Sequence, residues 1–166
     1  MPPRTPTKPK GDWVECEFMA SAMQRGLIVS KPYGDSAPFD FIIGRHHPLR
    51  RVQVRGRTLF QGGGFHCTIG KWPSRPFNWR DYDVLAFYVI PCQAWYLIPT
   101  TEINSSRWAI TFFPHIHNSK GRYEKYREAW QLLGAKRTNL AAAKLHRGKL
   151  KPQSTPRTQR KSTALP

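Results

Sequence analysis

The longest apolar run in the chain, Val84 to Pro91, constrains the fold most. It is far short of the ~18 residues a membrane-crossing helix needs. It suits a buried strand bounded by Asp83 and by the Pro91-Cys92-Gln93-Ala94 turn, after which Trp95 to Ile98 returns as a second strand. Such a pair must be covered, and the rest of the sequence supplies the cover. Asp12 is a good N-cap, and Phe18, Met19, Ala22 and Met23 form a helical stripe ending at Gly26, a natural C′ glycine. Short strands are expected at Leu27–Ser30, Phe39–Ile43 and Leu49–Arg57. The second and third of these are joined by a turn at Arg45-His46-His47-Pro48. A hairpin is expected around Gly62-Gly63-Gly64, with Phe65, Cys67 and Ile69 on one face, and a further strand over Ala109–Phe113. A closing helix is expected near Arg122–Leu133, where Tyr126, Trp130 and Leu133 share a face. Helix, then strands, then helix implies an α/β fold built in α+β layers around one central mixed sheet.

Charge divides the chain. Twenty-seven Lys and Arg face ten Asp and Glu, a net +17, yet all ten acids and only fifteen of the basic residues lie within 11–128. Nine basic residues follow Glu128 and no acid does. Residues 1–10 read as a disordered basic arm, 11–134 as the folded domain, and 135–166 as a mostly disordered basic tail with one short helical piece at Asn139–His146. Basic tails attract polyphosphate by counterion release, whatever its sequence, so nucleic acid is the expected partner. The alternative is a merely solubilising tail. Cys16, Cys67 and Cys92 are too few and too dispersed for a disulfide framework or a zinc site, which suits reduced thiols in the cytoplasm. The N-terminal residues lack the apolar stretch of a secretory signal, and no membrane association is expected.

Three elements carry residues out of place for packing alone. Glu15 precedes Phe18 and Met19 by three and four residues, so it lies on the apolar stripe, whereas Glu17 has small or polar neighbours. Asp12-x-x-Glu15 also reads as a capping-box variant. Asp40 sits in an apolar strand, where aspartate is disfavoured. On the next strand, alternation puts Val52 and Val54 on one face and Arg51, Gln53, Arg55 and Arg57 on the other; a solvated basic edge would look the same. If the two strands form a hairpin, Asp40 and Gln53 meet. Glu15, Asp40, the Gln53 amide oxygen and the Val54 carbonyl would then be hard oxygen ligands suited to Mg²⁺, or Mn²⁺, with Arg55 a cation for phosphate charge. Arg51, Arg57 and Lys71 are further candidates for nucleic-acid contact. His115-x-His117 lacks a third ligand, and the triple glycine lacks the Lys and Ser/Thr of a phosphate loop. Trp72, Trp79 and Trp108 are candidates for base stacking or for packing.

The run Trp13-Val14-Glu15-Cys16-Glu17-Phe18-Met19-Ala20 belongs to a wider pattern. With Arg25–Pro32, Gly34-Asp35, Phe39-Asp40-Phe41, Arg51-Val52-Gln53-Val54, Tyr82–Ala86, Trp95–Pro99 and Tyr123–Leu133, it resembles the PD-(D/E)-x-K nucleases. Within them it is similar to the branch of group I intron homing endonucleases and Holliday-junction-resolvase-like proteins. The resemblance covers about residues 11–133. It implies a restriction-endonuclease-like core and Mg²⁺-dependent cleavage of nucleic acid; DNA is favoured over RNA without RNA being set aside, and nucleases of this size often act as homodimers. It also implies that Glu15 matches the helix glutamate, Asp40 the metal-binding aspartate and Gln53 the glutamine that replaces the second acid in some members. Arg55 stands where the family pattern has lysine, and it cannot lose a proton at ordinary pH. Two functions follow: a DNA endonuclease impaired by Arg55, or a non-catalytic nucleic-acid-binding domain with a degenerate site. A third is a partner-binding domain whose tails bind RNA nonspecifically.

Overall fold

The computed structural model describes residues 7–34, 36–45, 48–69, 78, 80–103 and 109–135. Lys71, Trp72, Trp79, Trp108, His46, His47 and the Asn139–His146 segment lie outside them.

Helix α1 runs over Thr7–Gln24 and is followed by β1 (Ile28–Ser30), β2 (Phe41–Gly44) and β3 (Arg50–Arg57). A small hairpin, β4 (Phe60–Gln61) and β5 (Gly64–Thr68), precedes β6 (Val84–Val89), β7 (Ala94–Pro99) and β8 (Ala109–Phe112). The main sheet has the order β1-β2-β3-β6-β7. Its pairs are antiparallel except the central one, where β3 runs parallel to β6 with Val54 opposite Ala86. A parallel pair needs a long crossover, and the segment between β3 and β6 contributes β4 and β5 to a second sheet, β4-β5-β8.

The layers follow from strand alternation. On one face of β3, Val52 and Val54 are buried and α1 lies across them through Val14, Phe18 and Ala22. The Phe18 ring packs on Phe41, Trp95 and Trp130, with centroids 5.5, 5.3 and 5.6 Å away. Phe87, opposite Arg55 on the other face, stacks on Phe112 of β8 at 4.6 Å, and Tyr96 meets the same ring at 4.5 Å. The apolar run of β6 is buried at every position, as a strand covered on both faces requires.

Three sequence expectations need correction. The helix begins at Thr7, not at Asp12, so residues 7–10 belong to it; Pro9 falls in its first turn, where no N–H partner is needed. The inward stripe is Val14, Phe18, Ser21 and Ala22, while Met19 and Met23 are exposed. The closing helix is replaced by two 3-10 turns, Glu124–Tyr126 and Trp130–Leu133. Edge strand β7 explains the last change. Tyr96 forms a bridge with Arg127, and Glu128 N–H donates to Trp95 O at 2.8 Å. Strand-like pairing draws the backbone out of a helix, and Glu128 takes a positive φ of 52°. Its carboxylate then accepts from Trp95 N (2.9 Å) and Trp130 Nε1 (2.7 Å). Tyr126, Trp130 and Leu133 are all buried nonetheless.

Candidate active site at the open edge of β3

β2 pairs with β3 only through Val52, so β3 runs on past the start of its neighbour. A residue in an extended strand points its N–H and C=O to the same edge, and at Val54 that edge faces Asp40. β2 starts at Phe41, two positions later than the strand start expected at Phe39, so Asp40 lies immediately before the strand and not within it, with its N–H donating to Val52 O at 2.9 Å. Its Oδ2 accepts from Val54 N at 2.6 Å and from Gln53 Nε2 at 2.6 Å. The hairpin expected from the sequence thus forms, and it brings Asp40, Gln53 and Val54 together.

Glu15 approaches from α1. Its Oε2 accepts from Lys31 Nζ at 2.8 Å, so it caps no helix end. It is near enough to Asp40 to disfavour ionisation there. Burial, the larger cause, pushes the Asp40 carboxyl from its ordinary 3.8 up to about 6, against the pull of the Val54 N–H and of Arg55 and Lys31. Arg55 is exposed at the rim. Arg51 is engaged elsewhere: it donates from Nη2 to Asp83 Oδ1 at 2.9 Å and from Nη1 to Arg80 O at 2.8 Å.

Beyond the acids, a cavity of about 330 Å³ opens between the start of α1, the end of β3 and β5. Lys10, Arg55, Arg57, His66, Cys67 and Thr68 are among its lining residues. Arg57 Nε is buried with no hydrogen-bond partner, and Lys10 Nζ donates to Thr58 Oγ1 at 2.6 Å. Neither His66 nor Cys67 is disposed to react. Both ring nitrogens of His66 are engaged, with Gln61 O at 2.8 Å and Thr111 Oγ1 at 2.9 Å. Burial pushes the Cys67 thiol up to about 12, so it stays protonated. His115 packs its ring on Phe60 at 5.0 Å.

The donor set fits a hard divalent cation. Among the described residues no cluster of three or more His, Cys, Asp or Glu exists, but Mg²⁺ needs only one or two carboxylates and keeps several waters. Asp40, Glu15 and the Val54 carbonyl meet that requirement. A half-buried carboxyl whose ionisation is disfavoured without a counter-ion is what a cation would relieve. Gln53 currently turns its amide nitrogen to Asp40, and to Val54 O at 3.5 Å. It would have to rotate to offer oxygen.

Sequence inspection did not find Lys31 or Lys10. Lys31 becomes visible only through the β1–β2 register, and Lys10 only because α1 starts early.

A model of the PD-(D/E)XK endonuclease family matches residues 5–133. Among solved structures, a bacterial homing endonuclease is similar with a TM-score of 0.66 at 23% identity, over 87% of this chain and 100% of that one. Archaeoglobus fulgidus Hjc, a Holliday junction resolvase from an archaeal hyperthermophile, is similar with a TM-score of 0.52 at 12% identity, over 78% of this chain and 99% of that one. At these identities the likeness is one of fold, the restriction-endonuclease-like core. No curated protein matches the sequence significantly.

Proposed function

The chain belongs to the PD-(D/E)XK endonuclease family, and from that premise we propose that it hydrolyses phosphodiester bonds in DNA with a divalent ion, Mg²⁺ or Mn²⁺, held by Glu15, Asp40, Val54 O and the Gln53 amide. The observation that carries this reading is the anchoring of Asp40 Oδ2 by the Val54 N–H at 2.6 Å. It fixes a half-buried acid where the Val54 carbonyl faces the same edge and Glu15 closes from the helix. When bound, the ion polarises the phosphodiester and makes a bound water acidic.

The chain's own residues do the rest. The Val54 N–H orients Asp40, leaving its second oxygen for the cation. Gln53 secures the same carboxylate and, with its amide turned, would offer its oxygen to the cation. Arg55, exposed at the rim, offers a two-pronged donor for phosphate oxygens. Arg57 and Lys10, around the neighbouring cavity, suit the next phosphate of the strand. The acid-free, basic stretch after Glu128 adds attraction blind to base sequence. Two copies acting together would bring a site to each strand of a duplex, and a cytoplasmic location suits the free thiols.

Purified protein incubated with plasmid and linear DNA, with Mg²⁺ or Mn²⁺ and then with chelator, tests the proposal. Metal-dependent cleavage lost in Asp40→Ala is expected; no cleavage by the wild type, or equal cleavage by the variant, overturns it. Arg55 favours a second reading, a DNA-binding domain that has lost its chemistry. That reading expects salt-dependent binding without turnover, and cleavage on restoring Arg55→Lys.

A further inference from the structure

The β3 position expected to carry a lysine carries Arg55, but a second cation reaches the acids from another element. Lys31 follows β1, and the pairing of Ser30 with Ile42 sets it beside Phe41 and Asp40. Pro32 comes next and biases Lys31 towards an extended backbone, and beside Phe41, whose ring packs on Phe18 of α1, its side chain stands on the helix-covered face of the sheet. Its Nζ donates to Glu15 Oε2 at 2.8 Å. It lies 5.8 Å from the centre of the Phe41 ring and senses the charge of Asp40 as well. The lysine side chain is 62% exposed and that of Glu15 only 23%. With its ammonium partner so open to solvent the pair contributes little to stability, so its place among the acids is poorly explained as a structural tie.

Resting on the nuclease reading above, we propose that Lys31 is the lysine of this carboxylate site: it occupies Glu15 before the divalent ion arrives and meets the scissile phosphate afterwards, leaving Arg55 to hold the backbone at the rim. The chemistry divides naturally between the two cations. An ammonium is a compact point charge with three donors and can bond Glu15 and a phosphate oxygen together, whereas the planar guanidinium suits two oxygens of one phosphate. A cation bound to Glu15 competes with the ammonium for the same oxygen. Entry of the ion therefore releases Lys31 towards the negative charge brought in by the substrate, and metal binding and phosphate contact become linked.

Two measurements on the full chain test this, using wild type, Lys31→Met, Lys31→Arg and Arg55→Met. Calorimetric titration with Mn²⁺ should show several-fold tighter binding to Lys31→Met, because the competing ammonium is gone, and a smaller change in Arg55→Met, whose guanidinium acts on Asp40 through its charge and vacates no ligand oxygen. Single-turnover cleavage at saturating Mn²⁺ should fall about 100-fold in Lys31→Met and recover in part in Lys31→Arg. A merely structural tie would leave both the saturating rate and the Mn²⁺ affinity unmoved while lowering the thermal midpoint. Cleavage by Lys31→Met within a few-fold of wild type at saturating Mn²⁺ overturns the inference. If the wild type cleaves nothing, the nuclease reading falls and the titration decides alone. Tighter Mn²⁺ binding by Lys31→Met then supports Lys31 as the site's resident cation, and unchanged binding overturns that as well.

Discussion

Gly56 and Val14 are in such close contact that a Cβ built on the glycine would lie 2.6 Å from Val14 Cγ2. The backbone of β3 is therefore the surface on which α1 rests, and the contact sets how near Glu15, one residue on, comes to the edge carrying Asp40. Gly56→Ala should overpack this contact and cost about 1–3 kcal/mol, read as a lower urea midpoint. Pairing it with Val14→Ala should relieve the clash, though at the expense of a buried side chain.

Asp40 should make stability fall as pH rises. Its folded-state pKa is raised to about 6 from 3.8, so the proton it retains favours the fold below about pH 4, and that contribution is lost as pH climbs through 6. The rise from 3.8 to about 6, discounted for partial exposure, corresponds to about 1–3 kcal/mol. In chelator, Asp40→Asn should be more stable than wild type by that amount at pH 8 and equal to it near pH 4. Denaturation curves at the two pH values check this. Saturating Mg²⁺ should narrow the gap at pH 8 by binding only the folded wild type.

Glu128 should matter more than a half-exposed acid usually does. It serves Trp95 N, Trp130 Nε1 and Arg25 Nη2, the last at 3.4 Å. Glu128→Ala strands two donors inside the fold and should cost about 2–5 kcal/mol, whereas Glu128→Gln should cost less. Thermal midpoints of the two variants, measured side by side, provide the comparison.

Arg57 and Arg51 should separate in DNA binding. Arg57→Ala should weaken binding to duplexes of any sequence and reduce the slope of log affinity against log salt by about 1. Arg51, already spent on Asp83 and the Arg80 carbonyl, should leave both nearly unchanged when replaced by alanine. Loss of that exposed ion pair should lower stability by less than about 1 kcal/mol. Fluorescence anisotropy across a salt series distinguishes the two.

The strands were legible because their residue types and spacing have no competing reading: Val52 and Val54 go in, Gln53 and Arg55 go out. So was the meeting of Asp40 with Gln53, which needs only a hairpin. The start of α1 was obscured by the prolines and lysines before Asp12, whose composition resembles an arm even though a first helical turn tolerates them. The closing helix failed because a non-local partner, the free edge of β7, took the backbone of Arg127 and Glu128. Periodicity cannot register such a competition. Glu15 was singled out as a neighbour of Phe18 and Met19, yet Met19 is exposed, and the partner Lys31 depends on a strand register no local pattern encodes.

The way Asp40 sits against β3 has a consequence for handling the protein. Beyond the start of β2, β3 would present bare backbone donors and acceptors, an invitation for a strand of another molecule to add on. Asp40 occupies that place and holds the Val54 N–H with its carboxylate. The acid assigned to chemistry thus also guards the sheet against self-association. Asp40→Ala, the obvious inactive variant, removes the guard along with the charge, while Asp40→Asn keeps an acceptor there and is the safer choice for trapping a complex with DNA.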